Sequence, residues 1–268
     1  MLAQGTKILG SSSRAFRYGD GLFETMKFVN GAIEHKERHF QRLFAGMKML
    51  KFDVPTHFTE RMVEDEVFTL CRKNHLRACA RIRLVIFRGN GGLYDPENHI
   101  PHFLIDGFPL EAPRQLNSNG LVTDVCPGIQ KSCDSLANLK TNNYLPYVMG
   151  AIWAKENKLN DAILLNTSSR ICDSTISNIF TICRGEIITP PLSEGCVAGI
   201  MRQWLIDKLP SIGCGVSEKN ITISDLLSAD EVFFTNVIKG IRWVQACGKS
   251  MYKNELIKQL YHALPSPI

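Results

Sequence analysis

The chain has 268 residues, of which 44% are hydrophobic and 21% charged, enough for one large domain or two of ordinary size around a substantial core. Its formal net charge of +5 is spread along the sequence, with no basic run and no aromatic RNA-binding signature, which favours small anionic ligands and argues against a dedicated nucleic-acid protein. Nine cysteines, an odd number without a Cys-x-x-Cys pair or a nearby His-x-x-x-His, argue against a metal centre and against a full disulfide framework and suit reduced thiols in a cytoplasmic protein.

Residues 1–7 lack a basic segment followed by an apolar stretch, and no apolar run approaches ~18 residues. Neither secretion nor a membrane span is therefore expected. After a short polar lead, residues 21–29 read as a strand entering a tight turn at Asn30-Gly31. Phe40, Leu43, Phe44, Met47 and Leu50 recur at helical spacing, which predicts an amphipathic helix over 34–50. A second is expected over 58–72. Residues 78–88, rich in β-branched and aromatic side chains and closed by Gly89-Asn90-Gly91-Gly92, predict a strand, with 102–105 as its neighbour. Strand alternation puts Arg81 and Arg83 on one face, and Arg88 on the other with Ile82, Leu84 and Ile86.

Residues 107–120 lose periodicity and carry Pro109 and Pro113, the pattern of a linker between a first domain (1–106) and a second (121–268). Beyond it, a helix is expected over 144–158. Leu145, Val148, Met149, Ile152 and Trp153 share one face of it, Pro146 lies in its first turn and asparagines ahead serve as caps. Strands follow at 162–165, 179–183, 186–189 and 231–235, and helices at 199–209 and 254–264, with a helical turn at 224–228. The sequence class is mixed α/β (α+β).

Several segments carry chemistry-bearing residues in a fixed order. They are Gly19-Asp20-Gly21-Leu22-Phe23-Glu24, His39-Phe40-Gln41-Arg42-Leu43, Asn138-Leu139-Lys140, Cys172-Asp173-Ser174-Thr175-Ile176-Ser177-Asn178-Ile179-Phe180 and Val197-Ala198-Gly199-Ile200-Met201-Arg202. In this order they resemble the fold-type IV pyridoxal-phosphate enzymes (class IV aminotransferases), from about Gly10 to the end. That family includes branched-chain and D-amino-acid aminotransferases and the aminodeoxychorismate lyases. The resemblance implies two α/β domains with pyridoxal 5'-phosphate in the cleft between them, a small-molecule substrate and a homodimer.

Such a cofactor needs an amine to carry it, an anion site for its phosphate and a partner for its pyridine nitrogen. By resemblance, Lys140 is the Schiff-base lysine and the base that moves the substrate's proton. For the phosphate, Ile200 and Met201 open a helix whose free N–H groups and dipole suit an anion, though the family often has a threonine where Met201 stands. Arg42 matches the family's phosphate arginine, and its planar fork suits that ligand. Helical geometry places it about 200° from Phe40, on a face that reads alone as solvated.

Asp173 stands where the family usually has a glutamate facing the pyridine nitrogen, one methylene longer. Thr175 and Asn178 belong to the same motif. The resemblance implies Tyr144 as a donor to the cofactor's phenolic oxygen, where a tyrosine at a helix start otherwise serves packing, and Val197 as a packing residue on the ring. Asn236 and Val237 complete the set, with Val237 where a hydroxyl is common. Within the family, Arg88-Gly89-Asn90-Gly91-Gly92, Gly199-Ile200-Met201-Arg202-Gln203 and the tail 227–237 look most like the lyases, which convert 4-amino-4-deoxychorismate to 4-aminobenzoate and pyruvate in folate synthesis. The alternative is an aminotransferase acting on D-amino acids or branched-chain amino acids. Arg88 is the first candidate for a substrate carboxylate, with Lys27, Lys239 and Arg242 as weaker ones. Phe23 stands where D-amino-acid aminotransferases often have tyrosine.

Overall fold

The hairpin at Asn30-Gly31 starts the first of two sheets: both residues adopt positive φ (48° and 84°), and Val29 faces Ala32 across a two-residue turn. The computed structural model describes residues 9–76, 78–110 and 115–265. They divide into two units. One holds the described residues up to 110 together with 140–143, and the other holds 115–139 and 144–265.

The first unit runs α1 (Arg14–Tyr18), β1 (Gly21–Val29), β2 (Ala32–Ile33), α2 (Lys36–Met49), α3 (Glu60–Lys73), β3 (Cys79–Arg88) and β4 (Pro101–Pro109). Its strands form an antiparallel sheet in the order β2-β1-β3-β4. The apolar stripe of α2, Phe40, Leu43 and Met47, is fully buried in one core with Met26 of β1 and Ile82, Leu84 and Ile86 of β3. Each such side chain contributes roughly 1.5–3 kcal/mol. Thr59 caps α3 by accepting a hydrogen bond from the Met62 amide. The linker expected at 107–120 opens inside β4, which extends through Pro109, and 111–114 lie outside the described residues. The helix α1, only five residues long, is too short to show a period, so the sequence predicts no more than a polar lead there.

The second unit runs β5 (Leu121–Lys131), α4 (Leu145–Glu156), β6 (Asp161–Asn166), β7 (Ile171–Ser174), β8 (Asn178–Cys183), β9 (Glu186–Thr189), α5 (Ile200–Lys208), β10 (Val216–Glu218), α6 (Ile223–Leu227), β11 (Glu231–Asn236), β12 (Gly240–Cys247), β13 (Ser250–Met251) and α7 (Glu255–Ala263). Its mixed sheet has the order β10-β9-β8-β11-β12-β5-β6-β7, with β13 on β12. Alternation along the central strands feeds two cores. Phe180 and Phe233 stack 4.9 Å apart on the side of α5 and α7, while Ile179 and Phe234 pack into the other. Strand β5 carries no clear strand signal because Pro127-Gly128 interrupts it, where its pairing with β6 slips between Val125 and Gln130.

Helix α4 corrects two expectations. Its N-cap is Tyr144, with no side-chain cap, so Asn142 and Asn143 do not serve. It also packs through Tyr147, Gly150 and Ala154, while Leu145 (67% exposed), Val148, Met149 and Ile152 point outward. Gly150 explains the choice of face: a Cβ there would stand 2.9 Å from the Leu164 side chain and 3.1 Å from Thr175, so the helix approaches β6 along its small-residue edge.

Candidate active site

In the first unit, β2 pairs only with the far end of β1, which leaves the Gly21 end open to residues 140–143. The Phe23 amide donates to the Lys140 carbonyl at 2.8 Å, the Asn142 amide donates to Gly21 O at 3.0 Å, and Leu22 bridges Thr141. Both glycines of the Gly19-Asp20-Gly21 motif are explained by this approach. A Cβ on Gly19 would collide with the Asn143 side chain, and one on Gly21 with the Ile86 carbonyl and Asn142. The half-buried Lys140 then places Nζ 4.2 Å from the centroid of the buried Phe23 ring, and Arg83 lies over the same ring at 3.9 Å.

One residue further along β1, Glu24 is buried and holds two residues of α2. Arg42 grips it as a fork, Nε to Oε1 at 2.7 Å and an Nη to Oε2 at 2.6 Å, and His39 Nδ1 lies 2.6 Å from Oε2. Burial alone would raise the Glu24 pKa, but Arg42 and His39 outweigh it and hold it at about 2. Burial lowers that of His39, against the pull of Glu24, so near neutral pH the ring is uncharged and its Nδ1 proton faces the carboxylate. The solvated face expected for Arg42 is thus covered by Glu24 of its own unit. Neither Glu24 nor His39 was assigned a role from sequence, although His39 and Arg42, three apart, share a helix face.

Arg88 is corrected. It is buried on the expected face of β3, but its Nε meets Asp20, its Nη groups donate to the carbonyls of Leu50 and Lys51 and contact His99, and it stacks over Phe52. It ties α2 and β3 together and is not free to take a substrate carboxylate. Lys27 is likewise buried, 3.8 Å from Glu34. Arg83, passed over in the sequence reading, is the cation that shares the Phe23 ring with Lys140.

In the second unit, Asp173 of β7 is buried and collects four donors. Lys131 Nζ (2.9 Å), the Tyr147 hydroxyl (3.0 Å) and the Val197 amide (2.9 Å) converge on Oδ2, and Asn178 Nδ2 (2.9 Å) donates to Oδ1. Lys131 also donates to Gly195 O at 2.7 Å and lies over the Tyr147 ring, which stacks on Tyr144 at 4.4 Å. Burial would lower the Lys131 pKa, yet the Asp173 charge outweighs it and raises it; burial and then Asp173 push that of Tyr147 well up. Asn178 also donates to the Val197 carbonyl. Its Oδ1 lies where a Cβ on Gly199 would be, so only glycine fits before α5. Ile200 and Met201 open α5 with no side chain capping it, and Met201 packs into the core. Asn138 donates to Leu192 O and Cys196 O and accepts from the Ala198 amide, fixing the chain two residues before Lys140.

Three expected cofactor residues have local duties. Both the amide and hydroxyl of Thr175 donate to Asp161. The Asn236 side chain bonds Ser177 and accepts from the amides of Ile238 and Lys239, shaping the turn after β11. Val237 packs into the core. Among the described residues no group of three or more His, Cys, Asp or Glu is arranged to hold a metal ion, and no helix is long and apolar enough to cross a membrane.

The model of the class IV amino-transferase family matches residues 21–247, and the chain belongs to that family. It is 32% identical over 234 residues to an aminodeoxychorismate lyase of Vibrio harveyi, covering 85% of this chain and 83% of that protein. It is also 32% identical over 222 residues to a protein of Methanocaldococcus jannaschii described as a branched-chain-amino-acid aminotransferase, covering 81% and 75%. The solved 4-amino-4-deoxychorismate lyase of Pseudomonas aeruginosa superposes with a TM-score of 0.83 at 26% identity, covering 97% of this chain and 96% of that one.

Proposed function

We propose that the protein is a pyridoxal 5'-phosphate-dependent lyase that converts 4-amino-4-deoxychorismate to 4-aminobenzoate and pyruvate. The observation that carries the reading is the seat of Lys140, an amine anchored at its backbone to β1 and held over Phe23. The residues present fit the cofactor. Lys140 would carry it, and Arg42, oriented by Glu24, and the amides of Ile200 and Met201 would take its phosphate. Asp173 keeps one acceptor position on Oδ1 for the ring nitrogen, since a carboxylate offers about four and Oδ1 has a single donor. Tyr144 would serve the phenolic oxygen and Val197 the ring face. Bound there, the cofactor supplies an electron sink.

The chain's own part is proton handling and orientation. Lys140 Nζ would take the proton from substrate C4 and return one to the departing enolpyruvate, while its position over Phe23 limits its wandering. The substrate carries two carboxylates, and Arg83, on the same ring as Lys140, would meet one of them. An aminotransferase would use the same amine, and the equal identity to the Methanocaldococcus protein keeps that as the second reading. Incubation with aminodeoxychorismate should give 4-aminobenzoate and pyruvate in equal amounts. Pyridoxamine phosphate formed from D- or L-amino acids without 4-aminobenzoate would establish the aminotransferase instead.

The outward apolar side chains of α4, Leu145, Val148, Met149 and Ile152, support the proposal of a homodimer. Replacing Val148 and Ile152 together with Lys should halve the mass measured by light scattering. An unchanged mass would remove this face from the account.

A further inference from the structure

Lys131 is a buried cation that the proposed chemistry does not use. It faces Asp173 and Cys172 of β7, Cys196 in the loop before α5 and Tyr147 of α4, and its partners in hydrogen bonding are the Asp173 carboxylate and the Gly195 carbonyl. A lysine so deep in a protein is uncommon unless it is paired. Here the partner is the same carboxylate that would face the cofactor's ring nitrogen. Among the described residues Asp173 Oδ2 receives Lys131, Tyr147 and Val197, whereas Oδ1 has the single Asn178 donor and so a further acceptor position.

Taking the cofactor reading above as its basis, we infer that Lys131 is a positioning residue that neutralises Asp173, so that the cofactor's ring nitrogen meets an ion pair through Oδ1 and not a lone carboxylate. A lone carboxylate at hydrogen-bond distance favours the protonated ring strongly, and an ammonium 2.9 Å from the same carboxylate offsets much of that attraction. The short Asp173 side chain acts in the same direction: its reach is fixed by four donors from β5, α4, β8 and the segment before α5, and it does not swing freely toward a ligand. The consequence is a ring nitrogen that binds its proton more weakly than it would without Lys131, and a correspondingly gentler electron sink.

The test is ring-nitrogen protonation, read by 15N NMR on protein loaded with 15N-labelled pyridoxal phosphate, in wild type, Lys131→Met, Lys131→Gln and Lys131→Arg. Glutamine keeps a donor for Asp173 without the charge, so it separates electrostatics from hydrogen bonding and preserves the pocket if methionine does not. Gln and Met should raise the ring nitrogen's proton affinity about tenfold or more, as removal of a charge at this distance does, and Arg should restore the wild-type value. A Gln variant with the wild-type signal, or a folded Gln variant that takes up no cofactor, overturns the role of Lys131. A wild-type ring that stays protonated throughout the pH range of the folded protein overturns it without any variant. Wild-type protein that takes up no pyridoxal phosphate refutes the enzymatic reading itself, a result distinct from a loaded protein whose signal ignores Lys131.

Discussion

The two units each bury one carboxylate against cations, and they do so differently. Glu24 is held by a fork and a ring that both come from α2, so it joins one strand to one helix and fixes the direction of Arg42. Asp173 is held by separate donors from β5, α4, β8 and the segment before α5, so it gathers four stretches of chain and keeps a single acceptor position in reserve. The first arrangement fixes the direction of a cation. The second fixes the carboxylate itself beside an ammonium.

The largest expected effect falls on Lys140. Lys140→Ala should abolish turnover and cofactor absorbance while leaving the melting temperature nearly unchanged, because the side chain is only half-buried. Survival of both activity and absorbance would refute its role. Next come the carboxylates. Glu24→Gln strands Arg42 and Asp173→Asn strands Lys131, and breaking a buried pair in this way costs roughly 3–5 kcal/mol, measurable by urea denaturation. A cost under about 1 kcal/mol, the range of an exposed pair, would mean that the pair is solvated.

Acid and alkali should distinguish the units. The Glu24 pKa is held down from 4.5 to about 2, so its contribution is present above 4.5 and is lost as pH falls through about 2, on the order of 3 kcal/mol. His39, held below its ordinary value by burial, must also be protonated in acid and adds to the loss. Lys131 has a raised pKa, so its contribution is complete below its ordinary value of 10.5 and is lost as pH climbs past it, and Tyr147 ionises unfavourably in the same alkaline direction. All three tryptophans, Trp153, Trp204 and Trp243, belong to the second unit. Acid titration should therefore lower far-UV circular dichroism before tryptophan fluorescence changes. Coincident transitions would show that Glu24 does not set the acid limit. The smallest expected effect is Tyr147→Phe, which removes one donor of four from Asp173 and should cost roughly 1.5–3 kcal/mol.

The amphipathic stripe of α2, the hairpin and the alternation of β3 were legible because each is written within a few residues of chain. Lys140, Arg42 and Asp173 stood out as members of ordered motifs. What escaped was pairing across long separations. Lys131 and Asp173 lie 42 positions apart and Tyr147 and Asp173 lie 26 apart, distances over which no periodicity speaks. Arg88 shows the opposite failure: its position on β3 was read correctly, but alternation gives a face and says nothing about Asp20, Leu50 and Lys51 taking its donors. In α4 the apolar stripe pointed one way and the small residues Gly150 and Ala154 the other, and close approach to β6 favoured the small ones.

The most direct test is to reduce the cofactor-loaded protein with borohydride and map the modified peptide by mass spectrometry. The phosphopyridoxyl group should appear on Lys140 alone, with Lys131 unmodified. A label on Lys131, or none on Lys140, would contradict it.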